Sequence, residues 1–263
     1  MTCFNRKEKT VNALEKLIRK NPETVFSFIV ADDGSNDGTH EALRKIPEVS
    51  VIQGDGNWFY SGGMRAAIEQ AKKEQKNYDY CLLFNDDVDF FDCAIEKLCN
   101  KDKKYIWVGP TSDEKGNLSY GGVIKTSKWR PKTEIVMADN PEGRKCDTFN
   151  ANCVLIPWDI FMNLDNIDRT YTHSMGDFDY GFSAERKGYT IKVSDEFVGV
   201  CPDNPVKASW RDTGLSCKER LKKKESPKGL PARDWFYYLN KNYNIATAVI
   251  YSAIPYIRIF LRK

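Results

Sequence analysis

The sequence has only two histidines among 263 residues, and its eight cysteines include no CxxC pair. Zinc modules need closely spaced His and Cys ligands, so this pattern argues against one. Cys81 and Cys153 lie inside apolar runs, which favours buried, reduced thiols over a disulfide framework. No linker rich in Pro, Gly or Ser and no internal repeat divides the chain. This length fits one large α/β domain, with or without a C-terminal appendage.

The first residues contain no apolar run of the kind that a secretory leader needs, so a cytoplasmic location is expected. Apolar residues make up 41% of the chain, which is enough for a core and argues against global disorder. Residues 205–263 hold 13 Lys and Arg against 4 Asp and Glu, although the whole chain carries only +3. An acidic body with a basic tail predicts metal and sugar chemistry in the body and an anionic partner for the tail.

The first two-fifths of the sequence alternates between β-rich runs and amphipathic helical patterns. The predicted elements are helix 8–20, strand Val25–Val30, a short helix through Leu43, strand Val49–Gln53, a helix capped by Ser61, strand Tyr80–Phe84, helix 92–99 and strand 105–109. This rhythm predicts an α/β fold with a single, mainly parallel central sheet flanked by helices. The less regular second half is predicted to contain a hairpin over Leu118–Ile124, a strand over Thr148–Ile156, a helix over Gly176–Lys187 and strands near Thr190–Val193 and Phe197–Val200.

Two acidic clusters follow predicted strands. The first is the turn Asp32–Gly38, and the second is the run Asn85–Asp87, which follows Tyr80–Phe84. Ligands of open α/β sheets bind beyond the carboxyl ends of the strands, so both clusters are expected in one crevice. Carboxylates on one short loop repel one another unless a cation or solvent screens them. One or two carboxylates together with phosphate oxygens are typical of Mg²⁺ or Mn²⁺.

Competing interpretations exist for the turns. Asp33, Ser35 and Asp37 with Gly38 imitate the start of an EF-hand calcium loop, but the twelfth position of that loop is Arg44 instead of the required Glu, which excludes the motif. An ordinary Asp/Gly turn that caps a helix remains open for this segment. The run Gly56–Arg65 is either a tight strand-to-helix turn or a place where the backbone approaches a ligand. It matches neither the P-loop nor the GxGxxG fingerprint.

Together these runs resemble family 2 glycosyltransferases with the GT-A fold, especially the bacterial enzymes of surface-polysaccharide assembly. The matching segments stand in the expected order over nearly the whole chain: Thr2–Arg6, Ala31–Ser35, Gly62–Met64, Asn85–Asp87, Gly176–Gly181, Trp210–Asp212 and Ser226–Pro231. The resemblance implies a metal-dependent, inverting enzyme of the hexosyltransferase type. Its donor would be a UDP- or dTDP-sugar, and its acceptor a saccharide of capsule, O-antigen or other cell-surface polysaccharide synthesis.

The resemblance also assigns the donor site. Asp32 or Asp33 would bind the pyrimidine base, and Asn85-Asp86-Asp87 occupies the position of the DxD motif. Asp87 would ligate Mn²⁺ or Mg²⁺, while Asn85 and Asp86 lie against the ribose and diphosphate. The rest of the predicted donor-binding set is Thr2, Phe4, Asn5, Arg6, Gly62, Gly63, Arg65 and Lys228.

Asp177 matches the general base that such inverting enzymes place at the start of an acceptor-side helix. It would take the proton of the acceptor hydroxyl as that oxygen attacks the anomeric carbon from the face opposite the diphosphate. Many relatives carry Glu-Asp where this chain has Gly176-Asp177, so Asp179 remains a second candidate. The structural alternative for Asp179 is helix capping or an ion pair with Arg186.

The domain prediction places a GT-A domain over residues 1–204 and a basic helical extension over residues 205–263. Residues 1–110 would form the nucleotide-sugar half of the domain, and residues 111–204 the acceptor half. Lys228 is predicted to close over the donor phosphates, with a solvated helix face as the alternative for this basic segment.

The segment Tyr243–Leu261 is largely apolar but is interrupted by Pro255 and Arg258, which indicates an interfacial amphipathic helix instead of a membrane span. It would bring the enzyme to the inner face of the plasma membrane, where polyprenyl-linked acceptors reside. A helix buried against the protein is the competing interpretation. No nucleic-acid partner is expected.

Two rival functions are considered. A sugar-phosphate nucleotidyltransferase usually has a glycine-rich N-terminal loop with a basic residue, which this sequence lacks. A non-catalytic sugar- or lipid-binding module on a transferase fold is the other rival, and the presence of both Asp87 and Asp177 argues against it.

Overall fold

The computed structural model describes residues 1–74, 76–202 and 206–261. The strands of the described residues are β1 Thr2–Cys3, β2 Phe28–Asp32, β3 Val49–Gln53, β4 Tyr80–Phe84, β5 Asp89–Phe90, β6 Ile106–Val108, β7 Thr111–Ser112, β8 Leu118–Tyr120, β9 Gly122–Lys125, β10 Thr133–Val136, β11 Arg144–Cys146, β12 Thr148–Phe149, β13 Cys153–Pro157, β14 Ile191–Val193 and β15 Gly199–Val200. The helices are α1 Lys7–Lys20, α2 Thr39–Leu43, α3 Phe59–Lys73, α4 Ala94–Cys99, α5 Trp158–Asn163, α6 Gly176–Arg186, α7 Cys217–Glu225, α8 Ala232–Asn242 and α9 Ile245–Phe260. The predicted α/β class is confirmed.

Two sheets carry most of the fold. The N-terminal strands form a parallel sheet in the order β1-β2-β3. The second sheet has the order β11-β14-β6-β13-β4, in which β14 is parallel to β6 and β13 runs antiparallel between β6 and β4. Smaller sheets, β10-β9-β12 and β5-β15-β7-β8, complete the second half.

A cleft of about 740 Å³ lies between β2 and β4 and has apolar walls that include Phe28 and Leu82. Met1 also lines this cleft, and its amino group donates to the Ile29 carbonyl at 3.0 Å. Burial lowers the pKa of that amino group to about 6. The apolar contact between Phe28 and Phe84, with ring centroids 6.0 Å apart, joins the two sheets beside the cleft.

Several predicted element boundaries are wrong. The second strand begins at Phe28 instead of Val25, and the Val25 side chain is 98% exposed. The predicted hairpin Leu118–Ile124 consists of two strands that pair elsewhere, because β8 joins β7 and β9 joins β10 and β12. The predicted strand Thr148–Ile156 is divided, because β12 pairs with β9 whereas β13 enters the five-stranded sheet. The predicted helix after Gly176 is confirmed.

The three C-terminal helices pack on one another and on α6. Tyr238, Leu239 and Ala248 share an apolar cluster with Tyr171 and Phe182. No helix of the described residues is long and apolar enough to cross a membrane. All eight cysteines are free thiols. The predicted boundary between residues 204 and 205 lies outside the described residues.

Candidate active site

Asp32 ends β2 and is fully buried. Its Oδ1 accepts hydrogen bonds from the backbone N–H of Ser35 at 3.1 Å and from the Ser35 hydroxyl. Its Oδ2 has no hydrogen-bond partner in the described part of the chain and lies 3.8 Å from Nδ1 of His40. An unpaired buried carboxylate oxygen is unfavourable, so Oδ2 is suited to accept a hydrogen bond from an N–H group of a ligand.

The neighbouring Asp33 has a different role. Its Oδ1 accepts from the backbone N–H groups of Gly56 and Trp58 at 3.0 and 3.1 Å, and its Oδ2 accepts from that of Phe59 at 2.8 Å. These donors stand at the N-terminus of α3, where a carboxylate satisfies free N–H groups and is favoured by the helix dipole. Asp33 therefore caps α3, whereas Asp32 keeps one carboxylate oxygen without a partner in the described residues.

Ser61, Gly62 and Gly63 lie buried inside α3, so the prediction that Ser61 caps this helix is wrong. A Cβ atom at Gly63 would collide with the Thr2 side chain. The glycine lets α3 pack closely on β1, and the Thr2 hydroxyl donates to the Ala31 carbonyl at 2.9 Å. These contacts give the predicted donor-binding residues Thr2 and Gly63 a packing role, and a Cβ atom at Gly62 would lie 3.0 Å from Cβ of Trp58.

The loop after β1 faces the turn after β2. The backbone N–H of Asn5 donates to Oγ of Ser35 at 2.8 Å, and Oδ1 of Asn5 accepts from the N–H of Asn36 at 2.9 Å. Asn5 has φ 50°, which places it in the left-handed region, and Phe4 beside it is 49% exposed. An exposed aromatic ring at the carboxyl end of a strand is suited to contact a nucleoside.

Both carboxylate oxygens of Asp86 contact other residues of the protein, and these contacts are called the Asp86 clamp. Its Oδ1 is 2.9 Å from Nη1 of Arg6, and its Oδ2 accepts from the Thr10 hydroxyl at 2.7 Å. Burial raises the pKa of this carboxyl, against the opposing effects of Thr10 and Arg6. The clamp joins the end of β4 to α1 and to the loop after β1, so it occupies the Asp86 carboxylate that was predicted to meet the diphosphate.

Asp87 is the carboxylate of this loop that stays available. It is half-buried, and Oδ1 receives only a long contact from the Cys201 thiol, with the Sγ atom at 3.7 Å. Asp89 points away and pairs with Lys16 and Lys20. The described residues hold no group of three or more His, Cys, Asp or Glu side chains that could bind a metal by themselves. One free carboxylate suits a Mg²⁺ or Mn²⁺ ion whose other ligands are phosphate oxygens and water, so the residues fit a cation that arrives with a nucleotide.

Asp177 stands in the first turn of α6 and is half-buried. Its Oδ2 accepts from the N–H of Ala151 at 3.3 Å, and its Oδ1 from that of Phe178 at 2.9 Å. Burial is the main influence on this carboxyl and raises its pKa, although the backbone donors act in the opposite direction. A carboxylate with a raised pKa is suited to accept a proton near neutral pH.

Asp179 is the second candidate base from the sequence. It is buried, and its carboxylate contacts Lys241 at 2.7 Å, Asn242 at 2.9 Å and Arg186 at 3.6 Å. These contacts tie α6 to α8. The ion pair with Arg186, which was the structural alternative from the sequence, is present.

Of the two predicted basic donor contacts, Arg65 binds backbone carbonyls of the protein and Lys228 is exposed. Nη1 of Arg65 donates to the carbonyls of Asp168 and Tyr171 at 3.0 and 2.8 Å, so this guanidinium holds the loop before α6 instead of facing a donor. Lys228 is exposed, and its charge helps to lower the pKa of His173. The Ser174 hydroxyl, next to His173, donates to the carbonyl of Gly229 at 3.1 Å, so the turn that carries Lys228 lies beside residues 173–174.

His173 and Tyr60 were missed by the sequence analysis. Burial lowers the pKa of His173 to about 4, so the ring is neutral and Nδ1 accepts from the N–H of Tyr60 at 3.3 Å. The pKa of Tyr60 is raised by burial and then by the negative charges of Asp177 and Asp87. The loop of Asp87 and the start of α6 adjoin one another at residues 151–152, because the N–H of Ala151 donates to Asp177 and the carbonyl of Asn152 accepts from the N–H of Asn85 at 3.4 Å. Neither Tyr60 nor His173 belongs to a sequence motif, because the two residues come together only where α3 packs against residues 172–174.

Two solved structures show which class of fold this is. The mannosyltransferase PcManGT from Pyrobaculum calidifontis, solved with GDP-Man and Mn²⁺, matches with a TM-score of 0.52 and 11% identity over 99% of this chain and 72% of its own. GalNAc-T7, solved with UDP, GalNAc and Mn²⁺, matches with a TM-score of 0.56 and 13% identity over 93% of this chain and 57% of its own. The chain therefore spans little more than half of that second protein. At such identities the likeness concerns the fold, which is the predicted GT-A fold.

The sequence family follows from a separate comparison. The model of Glycosyl transferase family 2 matches residues 1–153, which is more than half of the chain. The chain belongs to glycosyl transferase family 2. No curated protein in the comparison matches the chain. The matched region contains Asp32 and Asp87, whereas Asp177 lies beyond it.

Proposed function

We propose that this protein is an inverting, metal-dependent glycosyltransferase that moves a hexosyl group from a UDP- or dTDP-sugar to a saccharide acceptor. The observation that carries this proposal is that the adjacent residues Ala151 and Asn152 contact both acidic segments: the N–H of Ala151 donates to Asp177 at 3.3 Å, and the carbonyl of Asn152 accepts from the N–H of Asn85 at 3.4 Å. One half-buried carboxylate is free for a cation, and the other has the raised pKa of a base. An acceptor oxygen and a leaving diphosphate need these two groups on opposite sides of the sugar.

Each proposed role uses groups that the fold leaves free. Asp32 accepts from the base through Oδ2, and the exposed ring of Phe4 packs against the nucleoside. Asp177 takes the proton of the attacking acceptor hydroxyl. The exposed Lys228 approaches the donor phosphates from the turn beside His173.

Asp87 would hold the Mn²⁺ or Mg²⁺ ion together with the diphosphate oxygens. When bound, such an ion neutralises negative charge on the departing diphosphate. Mn²⁺ in both related structures supports a divalent cation here. Asn85 lies beside this carboxylate, and we assign it the ribose contact.

A donor panel tests the proposal. The protein is incubated with UDP- and dTDP-hexoses, saccharide and lipid-extract acceptors, and Mn²⁺ or Mg²⁺, and nucleoside diphosphate release is scored. We expect release with at least one donor and its loss when EDTA is added. Binding of nucleotide-sugars without turnover by any donor would support a non-catalytic module instead.

We further propose that the acceptor is polyprenyl-linked and belongs to bacterial cell-surface polysaccharide synthesis, and that the protein docks peripherally on an anionic membrane. The support is an apolar stripe along α9, called the α9 stripe, whose members are more than half exposed. These members are Ile245, Val249, Ile250, Ile257 and Phe260. The opposite face of α9 packs on the protein through Ala248 and Ile259.

A second exposed group adjoins the α9 stripe. Trp129 is 72% exposed, and its carbonyl accepts from the hydroxyl of Thr247 near the start of α9 at 3.0 Å. Lys128 and Arg130 flank Trp129 and are also exposed. Exposed apolar side chains beside an interfacial tryptophan and basic residues are complementary to an anionic bilayer surface.

Liposome flotation tests the membrane proposal. We expect the protein to float with phosphatidylglycerol-containing vesicles and much less with phosphatidylcholine alone. The triple variant Trp129→Ser, Val249→Ser, Phe260→Ser should lose flotation, because it removes apolar area without touching the packed face of α9. Val25→Ser, at another exposed valine, serves as the control and should float normally. Equal flotation of the triple variant and the wild type would refute this role of the surface.

A further inference from the structure

The apolar cleft beside Met1 lies between two strand edges that lack a neighbouring strand. β4 is the last strand of the five-stranded sheet and pairs only with β13 among the described residues. β2 pairs with β3 over its whole length, but β1 covers the other edge of β2 only at Ala31 and Asp32. Phe28 and Ile29 of β2 and every residue of β4 line this cleft. The cleft, called the slot below, is therefore bordered by two open strand edges.

Met1 has the geometry of a parallel strand at one end of the slot. Its amino group donates to the Ile29 carbonyl, and its carbonyl accepts from the N–H of Ala31, both at 3.0 Å. These are the two bonds that a residue opposite Val30 makes in a parallel ladder. A peptide N–H in place of the amino group would keep the bond to Ile29 and remove an ionisable group from apolar surroundings. Continuation of this ladder leads along β2 toward Phe28, which lines the slot.

The walls of the slot are apolar and come from two core clusters. Met64 and Ile68 of α3 line the slot and belong to the cluster that contains Phe149. Ile95 of α4 also lines it and belongs to the cluster that contains Leu14. A strand that is buried on both faces is a nearly continuous run of apolar, often β-branched residues. The occupant that fits is therefore one extended peptide segment with apolar side chains on both faces.

We propose that the slot is the binding site of an extended apolar β-strand that leads into Met1 from its amino side and joins the two large sheets into one. The strand continues the ladder of Met1 along β2, and its other edge faces β4. Its last two residues lie opposite Phe28 and Ile29, because Thr2 pairs with Ala31. A segment of about five residues, at roughly 3.3 Å per residue, matches the length of β4.

The physical reason for this binding is the cost of open strand edges. Unpaired N–H and C=O groups along an edge are a template for pairing with a further strand, and addition of a strand to such an edge is a general mode of peptide recognition. In the slot, one strand satisfies two edges at once and also fills the apolar space between them. This inference does not depend on the proposed function.

An N-terminal extension tests the proposal. The five residues Lys-Ile-Val-Ile-Val are fused directly before Met1 of the full chain, and the product is compared with the protein without the extension. We expect the Tm to rise by roughly 5 to 15 °C, because the added apolar side chains leave water. The backbone amides of β4 that do not bond to β13 should exchange their hydrogens roughly tenfold more slowly or less, because they gain partners.

The matched control is the extension Lys-Pro-Val-Pro-Val, which is also apolar but cannot donate to a ladder at its prolines. It should leave the Tm and the exchange of β4 close to those of the protein without an extension. No change with the Ile/Val extension would refute the strand. An equal rise of the Tm with both extensions would also refute it, because the gain would then be non-specific apolar contact. None of these measurements needs turnover, so a protein that is inactive with every donor can still confirm the strand.

Discussion

Asp177→Asn is expected to lower kcat by roughly 10²- to 10⁴-fold, which is the usual contribution of a positioned general base. Asparagine keeps the shape of the side chain, but its single amide oxygen can accept from only one of the N–H groups of Ala151 and Phe178, so the fold should persist with a small loss of stability. The wild-type rate should fall as the pH drops through the raised pKa of Asp177, because the base acts only when ionised. That acidic limb should therefore begin above the pH at which an ordinary aspartate titrates, and it should be missing from the residual activity of the variant.

Asp179→Asn separates the two candidate bases. The substitution weakens the contacts of Asp179 with Lys241 and Arg186 and should lower the Tm modestly, because Lys241 keeps its ion pair with Asp168 at 2.8 Å. At temperatures where the variant is folded, its pH–rate profile should match the wild type. A lost acidic limb in Asp179→Asn, with normal behaviour of Asp177→Asn, would reverse the assignment.

Asp87→Asn is expected to reduce metal-dependent turnover by about 10²-fold or more, since a bound cation contributes several kcal/mol of charge stabilisation and each 1.36 kcal/mol is tenfold in rate. A second readout does not need turnover. Wild-type protein should bind nucleoside diphosphate more tightly with Mn²⁺ than with EDTA, and this difference should shrink in the variant.

Asp89→Asn is the matched control for Asp87. It removes a carboxylate two residues away that faces Lys16 and Lys20 on the protein surface. Its activity and its Mn²⁺-dependent nucleotide affinity should remain close to wild type. Equal effects of the two substitutions would mean that the loop needs negative charge in general and that Asp87 has no particular role.

The sequence was sufficient to predict the class of fold and the positions of the two acidic loops, at the ends of β2 and β4. Strand–helix alternation and acidic clusters at strand ends are local patterns, and they correctly predicted that the Asp32–Gly38 turn lies at the end of β2 and that the Asn85–Asp87 run follows β4. The family match and the structural neighbours confirm the glycosyltransferase family and the GT-A fold. The assignments of individual site residues remain predictions.

The sequence could not predict which partner each polar side chain contacts in the folded protein. Asp32 and Asp33 are identical in type and adjacent, but one keeps an unpaired oxygen and the other caps a helix 26 residues away. Asp86 and Arg65 carry charges suited to a ligand, and packing commits both to internal partners. Such choices depend on contacts between residues that are distant in sequence, for which a single chain contains no local signal.

The two histidines of the chain both lie close to candidate site residues. Both histidines of the chain border the crevice, with His40 beside Asp32 and His173 beside Tyr60. Nothing in their sequence neighbourhoods distinguishes them. His173 acts as a neutral acceptor that orients the start of α3, which is a positioning role that a motif search does not detect.

The Asp86 clamp joins the end of β4 to the N-terminal part of the chain. Asp32 belongs to the three-stranded sheet, whereas Asp87 follows the five-stranded sheet, and the cleft lies between the two. Within the described residues these sheets share no strand, so apolar packing and the bonds from Asp86 to Arg6 and Thr10 set their relative position. Side-chain contacts yield more readily than a continuous β-ladder. The separation of Asp32 and Asp87 therefore depends on side-chain contacts, among them those of the buried Asp86.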